Sequence, residues 1–450
     1  MIRITKFVIA VVLFVTAAGI KPCQAQGYLD LTLDKAIDIA VQNNRDVKKA
    51  TDEIEKSKWQ IVEAASGAFP QINGFWDFER VIEPMVFIIE FPDPTTGKVV
   101  KNRLKAGTDH SMNLGAALSQ PLYVGGKVGT ALKAAKIYRN LSTQNLETVK
   151  QNVVSGVVQG FNGALLAQEL YRISKESLAQ SERNFKNVGS MHAAGAATDY
   201  DLLRARVQMS NLKPNVLDAE NNAKVSLLRL KEIMGVEPES ALTIVGHFAE
   251  PDTTLIARAE TEMALKRRPD IQANKLNVDL YEKNIKIARG DFLPTLTAGT
   301  TFQYMGNFDV FKYDPSYWNR FWTASVNLSF PIFSGLRNSS KYKQAQVDYV
   351  KARRDYSKAR DAAVIEIEEA VLTLRKAVES IESQKLNVEQ AEEALRMAES
   401  LYANGKATQL EVLDAQLMLD QAKTNVVSAL YNGLVAEITL KKSLGLVRAD

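Results

Sequence analysis

The residues of this 450-residue chain best placed to do chemistry are the charged ones gathered at a single short turn. Lys406, Glu411 and Asp414 follow closely on Asn404-Gly405. Carboxylates there suit the positive end of a helix that starts just beyond the turn. Elsewhere reactive groups are sparse. His110, His192 and His247 lie far apart and in no metal-ligand spacing. Gly125-Gly126-Lys127 suggests a phosphate loop, but Val128 stands where Ser or Thr would hold magnesium, and the upstream glycine is missing. It reads as a strand-to-helix turn. There is no nucleophile elbow, and no acid–base pair stands apart from the many helical carboxylates. The chain has no catalytic residue, metal site or cofactor to offer, and an enzyme is not expected.

The elements that carry the turn come next. Val388, Ala391, Leu395, Ala398 and Tyr402 lead into it at alternating spacings of three and four; Val412, Ala415, Leu419, Ala422, Val426 and Ala429 lead away in the same rhythm. That 3.5-residue period is a coiled-coil seam, and Asn-Gly supplies a left-handed cap that stops the first helix. The result is a long antiparallel helical hairpin with its tip at Gly405. Alanine dominates the seams, which favours closely packed tubes of many helices.

The N-terminus reads as an export signal over residues 1–25: Arg3 and Lys6, an apolar run from Phe7 to Ala18, then Cys23-Gln24-Ala25 before Gln26. Pro22 disfavours lipidation of Cys23. Cleavage takes the formal charge from +4 to +1 and removes the single cysteine, so there is no electrostatic case for nucleic acid and no disulfide. No later segment has 18 consecutive apolar residues. A membrane crossing would have to be made by strands.

The chain repeats itself. Ala40–Pro70 aligns without gaps on Ala264–Pro294 at an offset of 224; further on, Gln120-Pro121-Leu122-Tyr123 meets Phe330-Pro331-Ile332-Phe333, and Gly195-Ala196-Ala197-Thr198 meets Gly405-Lys406-Ala407-Thr408, at an offset of 210. The units are placed at 26–245 and 246–450. The 14 extra residues of the first lie between Pro70 and Pro121. Each unit reads helix, strand, loop, strand, long helix, tip, helix. The first helices are expected over about 33–67 and 254–290, the long ones over 127–194 and 337–404, and the returning ones over 201–234 and 411–443. Pro214 is expected to kink the first returning helix, and Gly156, Gly160 and Gly163 to admit a close neighbour. At ~1.5 Å per residue a long helix spans on the order of 100 Å, twice its partners, so two short helices stacked end to end should flank each long one.

Four strands are expected. Phe321–Ile332 alternates strictly, with Trp322, Ala324, Val326, Leu328 and Phe330 against Thr323, Ser325, Asn327 and Ser329. Ser111–Ser119 and Thr295–Tyr304 follow suit; Gln71–Glu79 is less clean because Phe75 breaks its polar face. Aromatics cluster at the strand ends: Tyr304, Phe308, Phe311, Tyr313, Tyr317 and Trp318 at one, Phe292, Phe330 and Phe333 at the other. Such strands fit a transmembrane barrel wall, apolar outside and wet inside, although a soluble sandwich would alternate too. Four strands cannot close a barrel, since single-chain barrels need at least ~8 and an open edge is not tolerated in lipid. Identical copies must share the wall.

This doubled unit, with Arg268-Pro269-Asp270-Ile271 and the tip sequences Gly195–Leu203 and Gly405–Asp414, resembles the TolC-like outer-membrane efflux family over essentially the whole mature chain. The resemblance implies a mainly helical homotrimer. Its four strands per copy form one twelve-stranded outer-membrane β-barrel, and its hairpins form an α-barrel tunnel in the periplasm. The function it implies is the exit duct of a tripartite efflux pump, reached through a periplasmic adaptor and driven by an inner-membrane transporter. A protein-secretion duct and a soluble periplasmic coiled-coil scaffold are the alternatives. By the same resemblance Asp201, Tyr402, Glu411 and Asp414 form the periplasmic gate, three-fold symmetry turning the carboxylates into cation-selecting rings. The tips Gly195–Thr198 and Gly405–Thr408 dock the adaptor. One position departs from the family: Ala407 stands where a basic latch residue is usual, with Lys406 one earlier.

Overall fold

The computed structural model describes residues 29–92, 94–95, 97–310 and 314–447. The export signal, Cys23, Phe311 and Tyr313 lie outside the described residues.

Glycine-capped turns and threonine caps set the helix ends. The chain runs β1 (Leu29–Leu31), α1 (Leu33–Asn43), α2 (Arg45–Ser66), β2 (Gln71–Arg80), β3 (Val86–Pro92), β4 (Val99–Lys105), β5 (His110–Val124), α3 (Lys127–Ala193) and α4 (Asp199–Met234). β6 (Leu242–Ile244) closes the first unit, and the second follows as α5 (Thr254–Ala257), α6 (Thr261–Arg267), α7 (Pro269–Gly290), β7 (Thr295–Phe308), β8 (Trp318–Ser329), α8 (Arg337–Ala403) and α9 (Gln409–Ser443). Both long helices, α3 and α8, have 67 residues. Helix α4 continues through Pro214.

The single first helix expected in each unit is broken. In the first unit Asn44 leaves helical geometry at ψ 132°, and its side chain accepts from the backbone N–H groups of Asp46 and Val47, starting α2 afresh. Its Nδ2 donates to the Ile233 carbonyl at 2.8 Å, so the start of α2 abuts the end of α4. In the second unit Pro269 forces Arg268 to an extended ψ of 119°, separating α6 from α7. Arg268 then reaches the Ser443 carbonyl at the end of α9. Each long helix is therefore flanked by two shorter ones meeting end to end. In the upper half the packing order is α2, α3, α7, α8; in the lower half it is α4, α3, α9, α8. The cores lie at these junctions. One gathers Leu31, Val157, Phe161, Leu230 and Met234; the other gathers Ile367, Leu374, Leu440 and Leu444. Gly160 sits where a Cβ would come within 3.1 Å of the Ile233 side chain, so its smallness serves the contact between α3 and α4.

The four expected strands form one antiparallel sheet in the order β2-β5-β7-β8. The register puts Ile72, Trp76 and Phe78 beside Leu118, Leu114 and Met112, these beside Thr300, Tyr304 and Gly306, and Phe302 beside Trp322. One face is thus nearly all apolar, and it is exposed: Ile72 70 %, Trp322 78 % and Val326 71 %. The Thr300 hydroxyl, on that face, donates to the Thr323 carbonyl and accepts from the Trp322 indole, so it carries no unmet polar group. The other face holds Asn73, Asp77, Asn113, Gln303, Thr323 and Ser325. The odd residue Phe75 belongs to it because its ring lies over Gly115 on the neighbouring strand. Strand β8 ends at Ser329 rather than near Ile332, since Pro331 has no N–H for the ladder.

Two further pairs bring the described strands to eight rather than four. β1 pairs in parallel with β6, tying the start of the first unit to its end. β3 and β4 form a hairpin that occupies the region of the 14 extra residues.

Candidate functional site

The two tips are built alike. Gly195 (φ +76°) and Gly405 (φ +67°) take the left-handed conformation that ends α3 and α8. Their N–H groups donate to His192 and Tyr402 carbonyls at 2.9 Å each. Three residues on, Thr198 and Thr408 cap α4 and α9. The Thr198 hydroxyl accepts from the Asp201 N–H at 3.1 Å, while the Asp201 carboxylate accepts from the Thr198 N–H at 3.1 Å and hydroxyl at 2.6 Å. Glu411 repeats this, accepting from the Thr408 N–H at 2.6 Å. Asp201 and Glu411 are therefore the third residues of capping boxes, a role that repeat equivalence alone left open. The hydrogen bonds from Thr198 hold the Asp201 carboxyl below its usual range, so it stays ionised.

Asp414 is exposed and one turn past Glu411, and among the described residues it makes no hydrogen bond or ion pair. Lys406 is exposed and, among the described residues, without a carboxylate partner. Ala196 is exposed, while Ala197 and Ala407 are half-buried within the tips. Tyr402, in the last turn of α8, feels Asp201 across the gap between hairpins: burial first, and then the Asp201 charge, push its phenol above the usual value. Asp201 thus acts on Tyr402 through its charge, and no hydrogen bond joins the two among the described residues.

Sequence reasoning missed two further ties between the hairpins. Gln180 of α3 donates to Glu399 of α8 at 3.1 Å, and Ser177 of α3 donates to Asp420 of α9 at 2.6 Å. Burial pushes the Asp420 carboxyl up, with Ser177 opposing. Their partners lie more than 200 residues apart, so no local spacing could announce them. Beside them a groove of about 630 Å³ opens between α8 and α9, lined by Asn387, Gln390, Leu417, Met418, Gln421 and Asn425. Among the described residues no group of His, Cys, Asp and Glu is arranged to hold a metal ion, and no helix is long and apolar enough to cross a membrane.

Known proteins share this architecture. A membrane protein from Pseudomonas aeruginosa superposes with a TM-score of 0.75 over 92 % of this chain and 93 % of its own, at 21 % identity. The probable outer membrane lipoprotein SilC of Salmonella typhimurium is 24 % identical over 93 % of this chain and 86 % of its own. The outer membrane protein TolC of Vibrio cholerae is 25 % identical over 74 % of this chain and 76 % of its own. The model of the family described as outer membrane efflux protein matches residues 36–236 and 261–446, which take in both hairpins, both tips and all four strands of the sheet. The chain belongs to the outer membrane efflux protein family, whose members are channels of the outer membrane and not enzymes.

Proposed function

We propose that three copies of this chain form a passive exit duct, a shared twelve-stranded barrel in the outer membrane continued by a helical tunnel in the periplasm. The observation that carries this reading is a matched pair of unfinished edges. Strands β2 and β8 are the two free borders of the sheet, and the exposed face between them is apolar. Lipid tolerates neither an open edge nor an unpaired backbone. The helical layer has the same two borders. On one side α8 leaves Ile365, Leu372, Leu386 and Met397 uncovered; on the other, α2 leaves Trp59 and Val62, and α4 leaves Leu203, Val207, Leu217 and Leu228. Border β8-α8 of one copy meets border β2-α2-α4 of the next, a head-to-tail contact that closes into a ring. A soluble scaffold would leave these apolar faces in water.

Within the ring the tips narrow the passage, held by the Gln180–Glu399 and Ser177–Asp420 ties, with Asp414 of each copy supplying a ring of charge. The tips and the amide-lined groove between α8 and α9 receive the periplasmic adaptor, which links the duct to an inner-membrane transporter. The mature protein extracted from outer membranes is expected to run as a heat-modifiable trimer that cross-links to its adaptor; Ala197→Trp or Ala407→Trp should keep the trimer and lose the cross-link. A monomer that stays soluble without detergent rejects the duct.

The ring of charge has its own test. Asp414→Asn removes the charge without touching the Thr408 cap, and is expected to lower the preference for cations over anions several-fold in planar bilayers. Unchanged selectivity removes Asp414 from the gate.

A further inference from the structure

Two arginines stand on the apolar face of the sheet, where lipid chains should lie. Arg80 ends β2, nine residues beyond its first residue Gln71; Arg320 lies nine residues before Ser329, the last residue of β8. Register places Arg80 beyond Phe78 and Trp76 on that face, and Arg320 beside Tyr304 and two residues before Trp322. Both are exposed, and neither has an ion pair among the described residues. At the same end of the sheet Asp109 and Asp309 are both taken by Lys105, at 2.5 and 2.7 Å, and Glu79, next to Arg80 along β2, lies on the opposite face.

Height explains how such charges are tolerated. Nine residues of strand, at ~3.3 Å each and tilted by about 40°, rise on the order of 23 Å, close to the roughly 25 Å apolar band of an outer-membrane barrel. Charge on the lipid face is costly at the midplane and nearly neutral at the interface. Gln71 and Ser329 lie at the helical end of the sheet, so both arginines lie at the far rim, level with the headgroups of the outer leaflet. Aromatic Trp76, Phe78, Tyr304 and Trp322 just below them are the usual girdle of that boundary.

We propose that each seam of the ring binds a phosphorylated lipid headgroup of the outer leaflet, lipid A, between Arg80 of one copy and Arg320 of the next. The inference rests on the ring reading above, in which β8 pairs with β2 of a neighbour and brings the two arginines to adjacent strands at one height. Guanidinium is the side chain suited to such a phosphate, since its planar fork donates two parallel hydrogen bonds. Two cations on one seam match a headgroup with two phosphates, and three seams give three sites.

Native mass spectrometry of the detergent-purified trimer tests this, with bis-phosphorylated lipid A, dephosphorylated lipid A and phosphatidylglycerol as probes. The unmodified trimer should bind up to three bis-phosphorylated lipid A molecules and bind each of the other lipids at least tenfold more weakly. The Arg80→Gln/Arg320→Gln double variant should lose at least tenfold in lipid A affinity, while its trimer mass and single-channel conductance stay unchanged. Equal binding of the dephosphorylated lipid or of phosphatidylglycerol, or undiminished binding by an intact variant trimer, overturns the lipid site and leaves the duct standing. Absence of a trimer in the unmodified protein removes the seam, and both readings fall together. Should the double variant fail to assemble, each single variant is expected to bind lipid A more weakly, and a single-variant trimer that binds normally overturns the site.

Discussion

Arginine at Ala324 is expected to strip the protein from the outer-membrane fraction, while arginine at the adjacent Thr323 leaves it there. The two residues are consecutive on β8 and point to opposite faces, Ala324 opposite Thr300 on the apolar side and Thr323 opposite Thr301 on the polar side. Both sit near the middle of the strand, which puts Ala324 near the bilayer midplane. An arginine there costs about 2–4 kcal/mol in each copy. The ring carries that cost three times over, enough to favour aggregation or degradation over insertion. Thr323→Arg instead adds three charges to the wet interior. It should fold as a heat-modifiable trimer and shift planar-bilayer selectivity towards anions. Equal membrane yields of the two variants would show that the apolar face does not meet lipid, and the barrel reading would fail with it.

The second large effect is expected at Arg268, far from both membrane and tips. Its side chain is about 90 % buried and makes a two-pronged contact with Asp270, at 3.1 and 2.8 Å, and a 2.7 Å ion pair with Glu366. Its Nη1 also donates to the carbonyl of Ser443, the last residue of α9, at 3.4 Å. Three elements, α7, α8 and α9, are tied by this one group. Arg268→Ala is expected to cost on the order of 2–3 kcal/mol per copy, less than a fully buried pair because Asp270 and Glu366 are partly exposed and can rehydrate. Arg268→Lys keeps the charge but not the fork, and should recover only part of the loss.

The dependence on pH follows from Asp270. Burial opposes its ionisation, but the hydrogen bonds and charge of Arg268 outweigh this and hold it below its ordinary value of 3.8. A carboxyl lowered in the folded state contributes stability above pH 3.8 and loses it as pH falls through the folded value. Chemical unfolding followed by helical circular dichroism should therefore show the full difference between native and Arg268→Ala proteins at pH 7, shrinking below about pH 3.8. A difference that is constant with pH would assign the effect to packing alone.

What could be read from the chain depended on how far each signal reaches. The sheet was legible because its alternation is local: Trp322, Ala324, Val326 and Leu328 mark one face without knowledge of any partner strand. The β3–β4 hairpin was not, because Val86-Phe87-Ile88-Ile89-Glu90-Phe91 is a nearly unbroken apolar run whose period cannot be counted. The break at Arg268 was available from the rule that the residue before proline avoids helical geometry, and the repeat alignment hid it by treating both first helices as continuous. The break at Asn44 had a weaker mark, an asparagine that serves as a cap because Ile233 is there to receive its amide. At the tips, glycine followed by threonine and then an acid carried the mark of two capping boxes, which the gate reading of Asp201 and Glu411 passed over. The contacts that hold one hairpin to the other were silent, since Gln180, Ser177 and Asp420 look like any polar residues on a solvated helix.

The meeting of short helices end to end has a mechanical consequence. At mid-height α2 and α4 stop against each other, as do α7 and α9, and only α3 and α8 pass through unbroken. Each unbroken helix is braced at that waist by a buried cluster, the one around Leu230 and Met234 and the one around Leu374 and Leu440. A force applied at the tips is therefore expected to pass to the strands through α3 and α8 alone, since the shorter helices transmit it only through their end-to-end contacts.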